Sequence, residues 1–248
     1  MIVDALILFV VGVVVGFINT LAGSGSFLTL PVLIMMGLTP QEANATNRIG
    51  IFFQTLVGVV GFDKAKKLDR ILSLKLSVAV LPGALLGSIL IVRVPEKILS
   101  ISLAVLMLIF AILTLTKPMP NPEGNEKIKP FLFHYLLYFL IGIYGGAIQA
   151  GVGIFFLFAS TLLLKLPLVK ANAIKLVLTF LFTPVSLAVF LFHHQINWML
   201  GLILAAGSVV GALLSVRFSL KKDEKYVRIV LFFVLIASSI KMVFDALK

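Results

Sequence analysis

The stretch Ala22-Gly23-Ser24-Gly25-Ser26-Phe27 interrupts a long apolar run with two glycines and two serines. The pattern recurs 128 positions later as Ala150-Gly151-Val152-Gly153-Ile154-Phe155, and Ala43-Asn44-Ala45 recurs at the same spacing as Ala171-Asn172-Ala173. An internal repeat whose halves each carry a glycine-broken hydrophobic segment is typical of secondary transporters with a binding site between the repeats. The repeat therefore predicts two related membrane halves with a site at their junction.

The composition is that of a membrane protein. Of the 248 residues, 60% are hydrophobic and only 12% are charged. Apolar runs about long enough to cross a core of roughly 30 Å lie near 43–62, 71–92, 97–116, 171–192, 198–216 and 229–247. These runs leave no room for a soluble catalytic domain, so the sequence predicts a multi-pass helical protein.

A hydrophilic interval at 117–130 separates the two repeats. We expect it to be a cytoplasmic linker between a first membrane repeat, 1–116, and a second, 131–248. Each half also carries a pair of glycines four residues apart, namely Gly83 with Gly87 and Gly207 with Gly211. Such pairs let membrane helices approach closely, so we expect them to serve helix packing.

The distribution of positive charge predicts how each broken segment is placed. If both segments turn back as hairpins, fourteen Lys and Arg in loops share one side and three lie on the other. The loops that share the basic side are 63–70, 117–130, 165–170 and 217–228. If each segment crosses once, eight face nine, which is no bias. The positive-inside rule therefore favours hairpins and a cytoplasmic location for the basic side.

Three further spans in each half then place the second half upside down relative to the first. The prediction is an all-α polytopic membrane protein of two inverted repeats, each a glycine-broken helical hairpin plus three transmembrane helices, with both termini outside. Short arms that tilt and cross fully would keep the same parity, and this alternative stays open.

Polar and cationic side chains share one face of the helix that follows each break. They are Asn44, Asn47, Arg48 and Gln54 in the first half, and Asn172, Lys175 and Thr179 in the second. A charge inside a span costs at least a few kcal/mol and normally faces a polar cavity or a partner. No embedded carboxylate is evident to neutralise Arg48 or Lys175, so an arriving anion would supply the missing charge. The alternative is snorkelling, especially of Lys175, toward the preceding loop.

The glycine breaks predict further contacts with a ligand. The short arm after each break begins with free backbone N–H groups, which together with the helix dipole form an anion site. Glycine lets the ligand approach the backbone, and we expect Gly25 and Gly153 to adopt a positive φ. The predicted substrate-binding residues are Asn19, Gly23, Ser24, Gly25, Ser26, Asn44, Asn47, Arg48, Gln149, Gly151, Gly153, Asn172 and Lys175.

Other chemistries have less support in the sequence. There is no cysteine, no carboxylate–histidine cluster at metal-ligand spacing, and no set of embedded acidic residues of the kind cation pathways use. His193 and His194 end a span and suit an interfacial position better than a hydrolase with Ser24 or Ser26. The net charge of +11 lies mostly in short loops, so nucleic-acid binding is not expected. We expect no cofactor, metal or catalytic residue; a membrane enzyme and a non-transporting partner subunit are the alternative functions.

The run GFINTLAGSGSFLTLP at 16–31, followed by Gly37-Leu38-Thr39-Pro40 and Ala43-Asn44-Ala45-Thr46-Asn47, resembles the TauE/SafE-type sulfite exporter family of the toluenesulfonate uptake permease group. The resemblance covers essentially the whole chain. It implies an inner-membrane permease for sulfite, organosulfonates or related anions, driven by a gradient of a coupling ion such as the proton or sodium. Ser24 and Ser26 depart from the family's glycine-richer run, so the identity of the substrate stays open. The transport direction and the oligomeric state are open as well.

Overall fold

The computed structural model describes residues 2–95, 97–99, 105 and 130–221. Its helices are α1 (Ile2–Leu21), α2 (Ser26–Met35), α3 (Pro40–Lys64) and α4 (Arg70–Ile91) in the first half, and α5 (Leu132–Ala147), α6 (Val152–Phe158, continued by a π-helical turn over Ala159–Leu163), α7 (Leu168–Phe192) and α8 (Trp198–Lys221) in the second. The predicted linker except Pro130, the predicted span 229–247 and most of 97–116 lie outside the described residues.

Four of the described helices are long and apolar enough to cross a membrane, judged by length and composition. They are α1, α4, α7 and the Trp198–Leu220 part of α8. Helix α3 has 25 residues but is less apolar, because it carries buried polar and charged side chains such as Asn44, Asn47 and Arg48. The predicted class, an all-α polytopic membrane protein, is confirmed.

Local sequence fixes where the later described helices of the first half begin. Thr39 caps α3 through a capping box: its hydroxyl accepts from Glu42 N at 3.2 Å, and its own N–H donates to Glu42 Oε2 at 2.9 Å. Asp69 caps α4 by accepting from Leu72 N at 3.0 Å. These caps satisfy backbone N–H groups that the first turn of a helix leaves without partners.

Backbone conformations recur at the same spacing as the sequence motifs. Six residues with positive φ form three pairs 128 positions apart, and each pair follows the end of a corresponding helix: Gly23 and Gly151, Gly37 and Lys165, and Lys66 and His194. The local architecture of the first half from α1 to α3 is therefore repeated from α5 to α7.

The first glycine break turns the chain back beside α1. Gly23 adopts φ 81° directly after the helix, and Gly25 N–H then donates to Asn19 Oδ1 at 2.6 Å. A Cβ on Gly25 would lie only 2.7 Å from the Val15 carbonyl oxygen. The short helix α2 thus starts alongside the last turns of α1.

Helix α8 of the second half packs along α1 of the first through two glycines. Gly207 lies against the backbone of Phe9, and Gly211 lies against the backbone of Val13. Because residue numbers rise together along the contact, the two helices run in the same direction. A Cβ on Gly211 would come within 2.0 Å of the Val13 carbonyl oxygen, so the predicted packing role of this pair is confirmed.

The equivalent contact joins α4 to α5. Gly83 lies against the backbone of Phe139, and Gly87 lies against the backbone of Ile143. These helices also run in the same direction, and a Cβ on Gly87 would come within 1.9 Å of the Ile143 carbonyl oxygen. The packing role predicted for this second glycine pair is confirmed as well.

Helices α3 and α7 pack against each other between the helix pair α1–α8 and the helix pair α4–α5. Phe52 stacks on Phe180 with ring centroids 5.3 Å apart, and Gly58 lies against the side chain of Leu176. Here residue numbers rise along one helix as they fall along the other, so α3 and α7 run in opposite directions. Both helices carry the polar faces that the sequence singles out, and they bring these faces to the centre.

Candidate functional site

The two glycine breaks meet backbone to backbone at the centre of the described helices. A Cβ on Gly23 would lie 2.4 Å from Gly153 Cα, so a side chain at Gly23 would force the two segments apart. The left-handed backbone lies at Gly23 (φ 81°) and Gly151 (φ 74°). The expectation of a positive φ at Gly25 and Gly153 is therefore wrong: Gly25 has φ −62° and Gly153 lies within α6, because the first glycine of each motif makes the turn.

A cavity of about 20 Å³ lies beside this contact. It is lined by Asn19, Gly23, Ser26, Ile51, Gln54, Thr55, Gln149, Val152, Gly153, Lys175, Leu176 and Thr179. Both hairpin turns and the middle turns of α3 and α7 therefore contribute to its wall. A volume of this size holds about one water molecule.

Lys175 brings a buried ammonium group to the wall of the cavity. Its side chain is 2% exposed, and Nζ donates to the carbonyl oxygens of Asn19 at 2.9 Å and Thr20 at 3.0 Å. These carbonyls belong to the last turn of α1, where the helix itself supplies no partner and carries partial negative charge. Lys175 therefore caps the C-terminal end of α1.

Arg48 makes the corresponding cap in the other half. Its guanidinium donates to the three carbonyls of 145–147, the last turn of α5, at 3.1, 2.7 and 3.2 Å. Asn44 Nδ2 adds a further hydrogen bond to one of them at 2.7 Å, and the guanidinium carbon lies 4.7 Å from the centre of the Phe190 ring. Arg48 is fully buried and lies outside the wall of the cavity.

Each embedded cation thus neutralises the end of the broken helix of the opposite half. The sequence alone predicts that these cations meet an anionic ligand or, especially for Lys175, snorkel toward the preceding loop, and Lys175 does not snorkel because it is buried. A helix C-terminus carries roughly half a negative charge, and this is the partner that the fold provides. The burial of Arg48 and Lys175 does not by itself require an anionic ligand.

Several polar atoms at the cavity lack a hydrogen-bond partner among the described residues. They include Asn19 Nδ2, Gln54 Oε1 and Gln149 Oε1. Gln149 is held in the left-handed region at φ 62°, and its amide nitrogen donates to Thr183 Oγ1 at 3.0 Å. A buried polar group without a partner costs about 1–3 kcal/mol, so the cavity favours a polar occupant.

Six of the thirteen predicted residues line the cavity, namely Asn19, Gly23, Ser26, Gln149, Gly153 and Lys175. The other seven are buried but lie outside its wall, namely Ser24, Gly25, Asn44, Asn47, Arg48, Gly151 and Asn172. The predicted set omitted Gln54, Thr55 and Thr179, which do line it. Gln54 and Thr179 each lie two helical turns after a predicted asparagine, so their periodicity was a usable signal. Thr55 carried no such signal.

The model of the family described as Sulfite exporter TauE/SafE matches residues 8–242. The chain belongs to the TauE/SafE sulfite exporter family. The resemblance that the sequence motifs indicate is therefore confirmed.

Relatives of this TauE/SafE protein are named as probable membrane transporters. A Haemophilus influenzae protein is 30% identical over 240 residues, with 96% of this chain and 94% of the relative covered. ORF9 of Sinorhizobium is 29% identical, covering 96% and 92%, and YfcA of Escherichia coli K12 is 26% identical, covering 97% and 90%. No solved structure matches the chain. The TauE/SafE protein is thus a membrane transporter and not an enzyme.

Proposed function

We propose that this TauE/SafE protein is an alternating-access permease for a small sulfur-containing oxyanion, such as sulfite or an organosulfonate, in the inner membrane. The observation that carries the proposal is the small central cavity, which is lined by a buried ammonium group and by the turns of both broken helices. Transport is coupled to a gradient of protons or sodium ions.

The chemistry of the cavity wall suits an oxyanion. Lys175 supplies a positive charge, and hydrogen bonds to a charged group are roughly twice as strong as neutral ones. Asn19 Nδ2 is a buried donor without a partner, and Thr179 lines the same space. An anion with several oxygen atoms can accept from these donors at once.

Three of the seven predicted residues outside the wall, namely Gly25, Asn44 and Arg48, hold parts of the site in position. Gly25 N–H fixes the Asn19 side chain through Oδ1, which leaves Nδ2 for the ligand. Arg48 and Asn44 hold the end of α5, directly before the turn that carries Gln149. We assign direct contacts with the anion to the six residues that line the cavity and a positioning role to these others.

The size of the cavity supports alternating access. About 20 Å³ suffices for a water molecule, whereas sulfite has four non-hydrogen atoms. The described state is then a closed one, and the cavity widens toward one side of the membrane at a time. Movement of one half against the other around a fixed central site is how repeat-built transporters usually work.

We infer further that the halves are inverted repeats whose broken segments turn back. Support comes from the opposite directions of the corresponding helices α3 and α7. Lys170 also lines one groove with Lys66, Lys67 and Arg70, which puts the loops 63–70 and 165–170 on the same side, as the hairpin arrangement requires. The basic side is then cytoplasmic and both termini are outside.

A ligand-stabilisation screen of the purified protein tests the substrate class. We expect sulfite or an organosulfonate to raise the melting temperature among sulfite, sulfate, thiosulfate, taurine and sulfoacetate. At a concentration of 100 Kd, a ligand that binds only the folded state adds about 2.7 kcal/mol of stability. Sodium chloride at matched ionic strength is the control. If none of the five raises the melting temperature above this control, the proposed substrate class is wrong.

A further inference from the structure

The two hairpin turns are held in different ways. At the second, the Gln149 amide donates to Thr183, and two groups that lie away from the cavity hold the helix end and the turn: Arg48 makes three hydrogen bonds to the end of α5, and the Tyr144 hydroxyl donates to the Ala150 carbonyl oxygen at 2.5 Å. At the first, the Gly25 N–H donates to Asn19 Oδ1, and the end of α1 is held by Lys175, which makes two hydrogen bonds to it. Lys175 is also the cation that borders the cavity.

We propose that Lys175 is the switch that links substrate binding to opening of the first hairpin, while Arg48 is a permanent lock on the second. An anion in the cavity draws the Lys175 ammonium away from the carbonyl oxygens of Asn19 and Thr20. The end of α1 is then uncapped, and the contact between Gly23 and Gly153 loosens. This inference rests on the proposed function, since it needs an anion in the same cavity.

The competition favours the anion over the helix terminus. The terminus offers about half a negative charge, shared among several carbonyls, whereas an oxyanion offers a full charge at the same wall. Lysine carries its charge on a flexible four-carbon chain with rotatable donors, so its ammonium can change partners over a short distance. The state with the anion bound and the state with α1 capped therefore exclude one another in part, which is the coupling that a substrate-driven change requires.

Arg48 has the opposite properties. Its planar guanidinium holds its donors in a fixed fork, and that fork already meets three carbonyls and the face of Phe190. Because Arg48 does not line the cavity, an anion there does not compete directly for it. The second hairpin is expected to keep its position while the first one moves.

Hydrogen–deuterium exchange of the whole protein tests this difference between the two hairpins without any attached probe. Sulfite is added at a concentration that saturates the stability screen, and exchange is compared for 19–25 and for its counterpart 147–153. We expect exchange in 19–25 to rise by about tenfold while exchange in 147–153 stays unchanged or falls, because local opening sets the exchange rate. An equal response of the two segments, or no rise in 19–25, would overturn the switch.

Two variants sharpen the test. Lys175→Met keeps the length of the side chain but removes the cap, so 19–25 should exchange rapidly without anion and show no further rise with it. Lys175→Arg, which can still cap α1, should keep 19–25 protected and is the fallback if Lys175→Met does not fold. If sulfite stabilises the wild type but Lys175→Met leaves exchange in 19–25 unchanged, or Lys175→Arg raises it, the switch is wrong and the substrate site stands. If no anion stabilises the wild type, the proposed function itself fails.

Discussion

Among single residues, the two buried cations differ in role: one borders the proposed anion site and the other only stabilises the fold around it. Lys175 and Arg48 both cap a helix of the opposite half, but Lys175 alone of the two borders the cavity. A substitution at each position therefore has a different expected outcome. The difference can be measured because the melting temperature without anion reports stability, whereas its dependence on anion concentration reports affinity.

Lys175→Gln should weaken anion binding by about tenfold or more, since loss of a charge-assisted contact in a buried site typically costs one to several kcal/mol. The affinity can be measured from the dependence of the melting temperature on anion concentration. Lys75→Gln is the matched control, because Lys75 is exposed on α4 and does not line the cavity. Equal affinity of both variants would place the anion site elsewhere.

Arg48→Gln should act mainly on stability. It leaves at least two of the carbonyls of 145–147 without a donor in a buried place, and each unpaired group costs about 1–3 kcal/mol. We expect a clearly lower melting temperature, with partial recovery in Arg48→Lys. Unchanged stability together with lost binding would show instead that Arg48 touches the substrate.

At the scale of the elements, the glycine breaks combine a special backbone with a close contact. Gly23 and Gly37 both have a positive φ, 81° and 92°, but a Cβ at Gly23 meets Gly153 at 2.4 Å whereas a Cβ at Gly37 meets nothing within 4 Å. Comparing substitutions at Gly23 and Gly37 therefore separates the effect of backbone strain from the effect of packing between the two hairpin turns.

Gly23→Ala should abolish transport and lower the melting temperature, while Gly37→Ala should show only the cost of a left-handed alanine, about 1–2 kcal/mol. Uptake by cells and the melting temperature of the purified variants provide the measurement. Similar losses in the two variants would mean that the contact between the breaks adds nothing beyond local backbone strain.

The elements also show how far the sequence predicts the fold. The repeat at Gly23 and Gly151, the polar face of α3 and the packing of Gly87 follow from spacing, periodicity and residue size, which are local properties. The capping of α1 by Lys175 does not follow from local sequence, since the partners of Lys175, Asn19 and Thr20, lie in the other half of the chain. Only the three-dimensional packing shows that a helix terminus, and not a carboxylate, faces each cation.

At the scale of the whole molecule, the arrangement of the halves predicts which loops are cytoplasmic. Single cysteines can be placed without background because the chain has none. Lys67→Cys and Arg217→Cys should resist an impermeant thiol reagent added to intact cells, whereas Arg93→Cys should be labelled; all three positions are exposed. Ready labelling of either of the first two would rule out the inverted arrangement.

Uptake by proteoliposomes tests whether the two breaks enclose one anion site that is used for transport. Radiolabelled sulfite and sulfoacetate are offered under an imposed proton or sodium gradient, with protein-free liposomes as the blank. We expect gradient-dependent uptake of at least one of them by the wild type and by Lys75→Gln, and a loss of about tenfold or more in Lys175→Gln. Uptake by Lys175→Gln at the wild-type rate, or no uptake above the blank by the wild type, would contradict this expectation.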